Sequence, residues 1–286
     1  MSSAADDVVA LFRIHTEALA KQDWATITAR LHPNLTRNHI ALTAEQYVNQ
    51  AKEGFKAIPD LEVTLDQAFA DKSGSLVFGR LIVRGTLKQE FMGIKPSGKP
   101  FEFSELTIYE YRDGKVFRIL TATDKESIKN QVESLPRTPF DTGYGYGLPE
   151  QTTGLKEKFT SVIEGITKGN VKETVLKYCA PNVLFNGIQN ITREEIIQQN
   201  LTIQDALTDL KVEFDGLVVD EDHQRVGSAY YVTGRVTKPF KDYLSGQIVQ
   251  QYKYVIHFIN EDGQLGAITS VVESEKAIDE GVEVAH

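Results

Sequence analysis

The sequence predicts an α+β protein built from two tandem units, each running through three helices and then a meander of strands. Three observations carry this reading. The apolar period changes from about 3.6 to about 2 near residue 60, turn signals punctuate the strand-like half, and the whole pattern recurs after residue 154.

The elements follow in order. Residues 7–22 place Val8, Leu11, Phe12, His15, Ala18 and Leu19 at helical spacing, which makes the first helix amphipathic. The stretch that follows carries a short second helix stopped by Pro33. After an extended piece ending at Leu42, Thr43 with Gln46 three residues on forms a capping-box pattern for a third helix, closed by Pro59-Asp60. Residues 61–71, 75–86, 100–112 and 115–124 then alternate as strands. Turn signals at Ser73-Gly74, Pro96-Ser97-Gly98 and Asp113-Gly114 separate them. A short polar helix follows Asp124.

Residues 135–153, rich in proline and glycine, read as a linker between a first domain over 1–134 and a second over 154–286. Beyond it the first half returns in diverged form. Lys-Gln-Asp-Trp becomes Lys-Gly-Asn-Val at Lys168, His-Pro-Asn-Leu becomes Ala-Pro-Asn-Val at Ala180, and the Thr43 cap recurs at Thr192. The Asp113-Gly114 turn recurs at Asp262-Gly263, and Asp124 becomes Glu273. From Leu42 to Asp124 the offset is 149, with no net insertion.

Composition excludes several classes. A formal charge of −9 weakens any case for nucleic acid or an anionic membrane surface as partner. The single cysteine, Cys179, rules out an intrachain disulfide and reads as a buried structural thiol. No apolar run reaches the ~20 residues of a membrane span, and acidic residues follow the first methionine where a signal peptide needs basic ones. The expectation is a cytoplasmic protein. No histidine and carboxylate set has metal-ligand spacing, and no phosphate-binding or nucleophile-elbow motif occurs, so no metal and no cofactor are expected.

The segment Arg84–Val116 contains Arg-Gly-Thr, Gln-Glu-Phe, the Gly-Ile-Lys-Pro-Ser-Gly-Lys loop, the Phe-Glu-Phe-Ser strand and the Asp-Gly-Lys turn. It resembles the signature of the SnoaL-like polyketide cyclases of the nuclear transport factor 2-like superfamily. The likeness covers about Ala5 to Gln131 and reaches the second half only through the repeat. It implies two tandem cone-shaped α+β barrel domains, with helices packed in a curved antiparallel sheet and a pocket at the open end. It also implies a pseudo-dimer within one chain, with room for further self-association. Where the family carries a histidine after Arg-Gly-Thr, this chain has Leu87. Thr107 and Thr121 likewise stand where polar acid-base groups are common.

A two-residue turn at Asp113-Gly114 would put Phe103, Glu105, Thr107 and Tyr109 on one face with Arg118, Leu120, Ala122 and Asp124. Glu105 and Asp124 would then form a carboxylate pair able to supply a general acid or base near neutral pH, with Asp124 as the base and Glu105 or Tyr109 assisting as hydrogen-bond donor. Tyr109 would be a donor to a developing enolate oxygen. Asp124 is equally an N-cap, since Ser127 lies three residues on. His39 is a further catalytic candidate near the expected mouth, and Trp24, Leu87, Phe103 and Leu120 are candidate ligand contacts. The same register in the second half selects Tyr252, Tyr254 and Glu273 and turns His257 to the other face. Arg80 and Arg84 are expected on the outer face.

These features and the resemblance together imply a cofactor-independent cyclase, isomerase or dehydratase of secondary metabolism. Its ligand would be a small apolar, polyketide- or terpenoid-like carbonyl compound. The competing readings are a non-catalytic binding module and, on Arg118 beside the two carboxylates, an epoxide hydrolase.

Overall fold

The computed structural model describes residues 3–133, 154–187 and 189–278, which fall into two compact units divided near residue 138. The linker expected over 135–153 lies outside the described residues. In the first unit, α1 (Ala4–Ala20) and α2 (Trp24–Arg30) lead into the β-hairpin β1 (Leu31–Arg37) and β2 (Ile40–Leu42). Helix α3 (Ala44–Ala57) follows, then the strands β3 (Glu62–Ala70), β4 (Leu76–Thr86), β5 (Pro100–Arg112) and β6 (Lys115–Thr123), and finally α4 (Lys125–Glu133). The second unit repeats the order. It runs α5 (Leu155–Thr167), α6 (Val171–Tyr178), β7 (Cys179–Phe185), β8 (Gln189–Thr192), α7 (Arg193–Ala206), β9 (Leu207–Asp220), β10 (Arg225–Val236), β11 (Ile248–Ile259) and β12 (Leu265–Ile278).

Each unit is an α+β arrangement around one six-stranded mixed sheet. The orders are β2-β1-β6-β5-β4-β3 and β8-β7-β12-β11-β10-β9. Both sheets are open, with two edges apiece, so neither closes as a barrel. The only parallel pairings among the described strands are β1 with β6 and β7 with β12. Helix α2 ends three residues before Pro33, which sits inside β1. The chain is already extended there because the residue before a proline disfavours the α region.

The capping boxes form as the sequence predicts. Thr43 Oγ1 accepts from the Gln46 amide at 3.1 Å and Gln46 accepts from the Thr43 amide at 2.8 Å; Thr192 and Glu195 do the same in the second unit. Helices α1 and α3 lay Val8, Phe12, Tyr47 and Val48 over one face of the first sheet, against Leu81, Val83, Phe103 and Ile119. Gly79 makes the closest approach possible, since a Cβ there would stand 2.4 Å from the Phe12 ring.

Two details of register position everything that follows. The Asp113-Gly114 turn is the two-residue type expected, with Arg112 opposite Lys115, but Phe117 forms a bulge. Beyond it the pairing slips by one, to Glu110–Arg118, Tyr109–Ile119, Thr107–Thr121 and Glu105–Thr123. The second detail lies between the copies. Thirteen residues (87–99) separate β4 from β5 at the base of their ladder, whereas twelve (236–247) separate β10 from β11. The next hairpin restores the balance, with four residues between Tyr111 and Val116 but five between Ile259 and Leu265. The offset of 149 therefore holds on β4/β10 and β6/β12, while on β5/β11 it is 148. Side chains alternate along a strand, so every residue of β11 faces opposite to the assignment that a constant offset gives.

The β1–β2 turn carries a clamp. Asn38 and His39 both adopt positive φ, the requirement of a tight two-residue hairpin turn. Asn38 uses this position to act as an extra ladder residue. Its Oδ1 accepts from the Thr121 amide at 2.8 Å and its Nδ2 donates to the Thr121 carbonyl at 2.9 Å. Its own amide donates to the Ile119 carbonyl at 2.9 Å. Asn186 repeats two of these three bonds: its Oδ1 accepts from the Ser270 amide at 2.7 Å and its backbone amide donates to the Ile268 carbonyl at 2.8 Å.

Replacing Asn38 by alanine strands the Thr121 amide and carbonyl and puts a residue that tolerates the left-handed conformation less well than asparagine at positive φ. The expected loss of stability is about 2–4 kcal/mol in urea unfolding. Asn38→Gly removes the backbone penalty and retains the loss of the clamp, so it should fall between alanine and the parent. Equal stability of all three would remove the clamp from the account.

Candidate functional site

The helix-covered face of the first sheet encloses a cavity of about 200 Å³. From β5 it receives Phe103, Glu105 and Tyr109, and from β6 Ile119, Thr121 and Thr123. Helix α3 presents Tyr47, Gln50, Ala51, Gly54 and Phe55, one stripe at helical spacing. Arg37 enters from the end of β1, and Phe91 and Met92 close the loop side. The walls are mostly apolar with a few convergent polar groups, the usual make-up of a small-molecule site.

Glu105 is the one carboxylate among the lining residues. It accepts from Thr121 Oγ1 at 2.7 Å, and Thr121 is itself fixed by the Asn38 clamp. Above it runs a chain of buried polar groups. His15 Nε2 lies 3.3 Å from the Tyr47 hydroxyl, which lies 3.3 Å from the Tyr109 hydroxyl. Burial, with the charge of Arg30 adding to it, holds the His15 pKa down at about 4, so the ring is neutral at pH 7.

The direction of this chain follows from what is left unpaired. His15 Nδ1 is buried without a hydrogen-bond partner. A stranded N–H costs more than a stranded lone pair, which places the proton on Nε2. Nε2 then donates to Tyr47, Tyr47 donates to Tyr109, and the Tyr109 hydroxyl keeps its proton for the cavity. Burial raises the Tyr109 pKa well above its ordinary value, with Tyr47 and Glu105 reinforcing the shift, so Tyr109 remains a donor.

The other sequence candidates lie elsewhere. Asp124 is on the opposite side of the alternation from Thr123 and is not among the lining residues. Its Oδ1 accepts from the Ser127 amide at 3.0 Å and its carbonyl from the Ile128 amide at 3.2 Å, which makes it the N-cap of α4. Burial raises its pKa, partly offset by the Ser127 bond. The Phe117 bulge also turns Leu120 away, so the cavity receives its neighbours Ile119 and Thr121 instead. Arg118 pairs with Glu110 at 3.0 Å, and the expected grouping of Arg118, Asp124 and Glu105 is not assembled.

Leu87 is 1% exposed and belongs to the core, not to the lining. His39 occupies the β1–β2 turn outside the lining. Trp24 stands one layer back, edge-on to Phe55 with ring centroids 5.8 Å apart. Arg80 and Arg84 take the face away from the cavity, as expected, and pair with Asp66 and Glu102.

Sequence reasoning missed Arg37, Tyr47, Gln50 and His15. The helical spacing of Tyr47, Gln50, Ala51, Gly54 and Phe55 was the signal that could have found two of them, Tyr47 and Gln50.

The second unit encloses a separate cavity of about 140 Å³. The one-residue displacement of β11 puts Val249, Gln251 and Lys253 on its wall and sends Tyr252 and Tyr254 to the other face. There Tyr252 stacks on Tyr231 at 4.1 Å and hydrogen-bonds Asp215. Glu273 is the residue skipped between the pairs Tyr252–Ser274 and Lys253–Val272 and is absent from the lining. His257, expected outside, shares the cavity side and packs on Phe159 of α5 with centroids 4.8 Å apart. Cys179 is buried and its thiol is pushed up to about 11. Among the described residues no three His, Cys, Asp or Glu side chains group as a metal site. Among the described residues no helix is long and apolar enough to cross a membrane either.

A sheet packed by helices around a mostly apolar cavity with a few polar groups defines a cavity-bearing α+β domain, present twice. Residues 9–132, within the first unit, match the family model described as SnoaL-like polyketide cyclase. Similar solved structures include a SnoaL-like polyketide cyclase from Agrobacterium tumefaciens (22% identity, 46% of this chain and 98% of that one, TM-score 0.41). IdmH from Streptomyces antibioticus (23%, 44% and 99%, 0.40) and TsrD from Streptomyces laurentii (21%, 45% and 96%, 0.41) are also similar. No curated protein matches the sequence.

Two outcomes test these assignments. Asp124→Ala should cost about 1 kcal/mol as a lost cap, while Asp124→Asn, which can still accept from Ser127, should cost a few tenths. The second concerns pH. The folded pKa values of His15 and His257 lie at about 4 and about 3, both below the unfolded value of about 6.5, so the unfolded chain takes up protons first as pH falls. Stability is intact above pH ~6.5 and declines as pH drops towards 4, by about 3 kcal/mol for each histidine at pH 4. His257→Leu should flatten the decline measured by urea unfolding at pH 7, 5 and 4; an unchanged slope would contradict it.

Proposed function

We propose that the first unit is a cofactor-independent cyclase or isomerase that enolises a small, apolar, polyketide-like carbonyl compound. Glu105 is the base that removes a proton α to the carbonyl, and Tyr109, fed by Tyr47 and His15, donates to the developing enolate oxygen. The match of residues 9–132 to the SnoaL-like polyketide cyclase family supports the substrate class. The observation that carries the chemistry is that a carboxylate and a buried hydroxyl donor project into one cavity from the same strand face, with Thr121 holding the carboxylate.

The fit is chemical as well as geometric. A carboxylate oriented by a hydroxyl on one oxygen keeps the other free for a proton. Apolar walls from Phe103, Phe55 and Leu81 exclude water from the enolate, which strengthens the Tyr109 bond to it. Arg37 lines the same space and adds positive potential where negative charge moves from Glu105 to the ligand.

Proton exchange on simple carbonyl compounds tests this chemistry. Apolar β-dicarbonyl compounds incubated with the protein in D2O should lose their α-proton signal in NMR spectra faster than in buffer. Glu105→Gln should slow this by a hundredfold or more, the scale of a general base, and Tyr109→Phe by about tenfold to a hundredfold. Compounds that bind the first cavity yet exchange no faster with the parent than with Glu105→Gln would assign it to ligand binding alone.

A further inference from the structure

The cavity of the second unit departs from the first in its chemistry. Correcting the register by one residue makes Lys253 the counterpart of Glu105, Gln251 that of Phe103 and His257 that of Tyr109. The position that holds an anion in one cavity therefore holds a cation in the other.

Lys253 reaches a space walled by Ile163, Ile166, Ile203, Leu210, Val232 and Phe240. Among the described residues no hydrogen bond or ion pair engages its amine. The carboxylate that acts on it, Glu275, is already taken by Lys241 at 2.6 Å and by Gln251. Burial, seconded by the charge of Lys241, pulls the Lys253 pKa down, with Glu275 opposing. A desolvated ammonium without a counterion is costly, and an anionic ligand that brings its own apolar body removes that cost.

We propose that the second-unit cavity binds a small apolar monocarboxylate, its carboxylate paired with the Lys253 ammonium and its hydrocarbon part held between α5, α7 and the sheet. The lining also carries Thr167, Tyr230 and the amides of Gln251 and Asn200, each amide with a second N–H besides the one given to Glu275 or to the Ile196 carbonyl, to bond the head group. The site is independent of the first cavity's chemistry. It gives the tandem chain two pockets of opposite charge preference: one suited to a neutral carbonyl compound beside a carboxylate, the other to an acid.

Isothermal titration of the full chain with sodium octanoate, and with 1-octanol as its uncharged counterpart, tests this. Octanoate should bind at least tenfold more tightly than octanol. Lys253→Met should abolish that preference, and Glu105→Gln, in the other cavity, should retain it. Lys253→Met should also raise the melting temperature of the ligand-free protein, because it removes a half-buried ammonium that no hydrogen bond or ion pair among the described residues engages, while octanoate should raise it further only in the parent. Lys253→Gln serves as a second variant with the same expectation. Equal octanoate affinity in parent and both variants, or no preference over octanol, would overturn the proposal. So would borohydride trapping of octanal on Lys253 without octanoate binding, which would make the lysine an imine-forming group instead.

Discussion

The first unit depends on the bond pair between Asn38 and the backbone of Thr121. Strand β1 runs parallel to β6 with an irregular register between Leu31 and Thr36, so the ladder alone does not hold the two strands in place. The carboxamide of Asn38 supplies one donor and one acceptor to a single residue, as a neighbouring strand would. Its consequence reaches the chemistry directly. Thr121, once fixed, orients Glu105 through its hydroxyl, and β6 as a whole carries Ile119 and Thr123 into the cavity wall. In the second unit Asn186 Oδ1 likewise accepts from the Ser270 amide, although the cavity there carries Lys253 in place of Glu105. The clamp is thus part of the fold, and the side chains it positions are free to vary.

Alternation along the strands explains both what was legible in the sequence and what was not. Helix starts were legible because capping boxes are local: Thr43 with Gln46 and Thr192 with Glu195 declare themselves within four residues. The repeat and the Asp113-Gly114 turn were legible for the same reason. Phe117 was not, because a bulge leaves no composition signal when both faces of the hairpin are buried. Strand β5 is buried at nearly every position, and so is β11, which erases the polar-apolar rhythm that would reveal register. Phe103, Glu105 and Tyr109 are legible as one face because they share a strand. Leu120 and Asp124 join them only through a pairing that Phe117 displaces.

The two copies meet a similar limit. Aromatic residues at an offset of 149, Phe103 with Tyr252 and Tyr109 with Phe258, make that alignment of β5 and β11 look right. Pairing in the sheet contradicts it, since the shorter β10–β11 connection and the longer β11–β12 turn offset each other by one residue. No net length change betrays the shift. Only cross-strand partners reveal it, through Tyr230 opposite Lys253 where Leu81 stands opposite Glu105.

Two compensating one-residue changes therefore do what a series of point substitutions would do less easily. They exchange the inner and outer faces of one central strand while leaving its neighbours, its length and the clamp on the adjoining strand in place. The exchange is tolerable because the strand is largely buried on both faces; on a strand with one wet face it would bury charges and expose the core. Here it brings Lys253 inward and sends Tyr252 and Tyr254 outward, where their hydroxyls are held in contact with Asp215 and each other. A fold in which a central strand is buried on both sides can thus change the charge of its cavity in one step, and the tandem copy allows that change while the first cavity keeps Glu105.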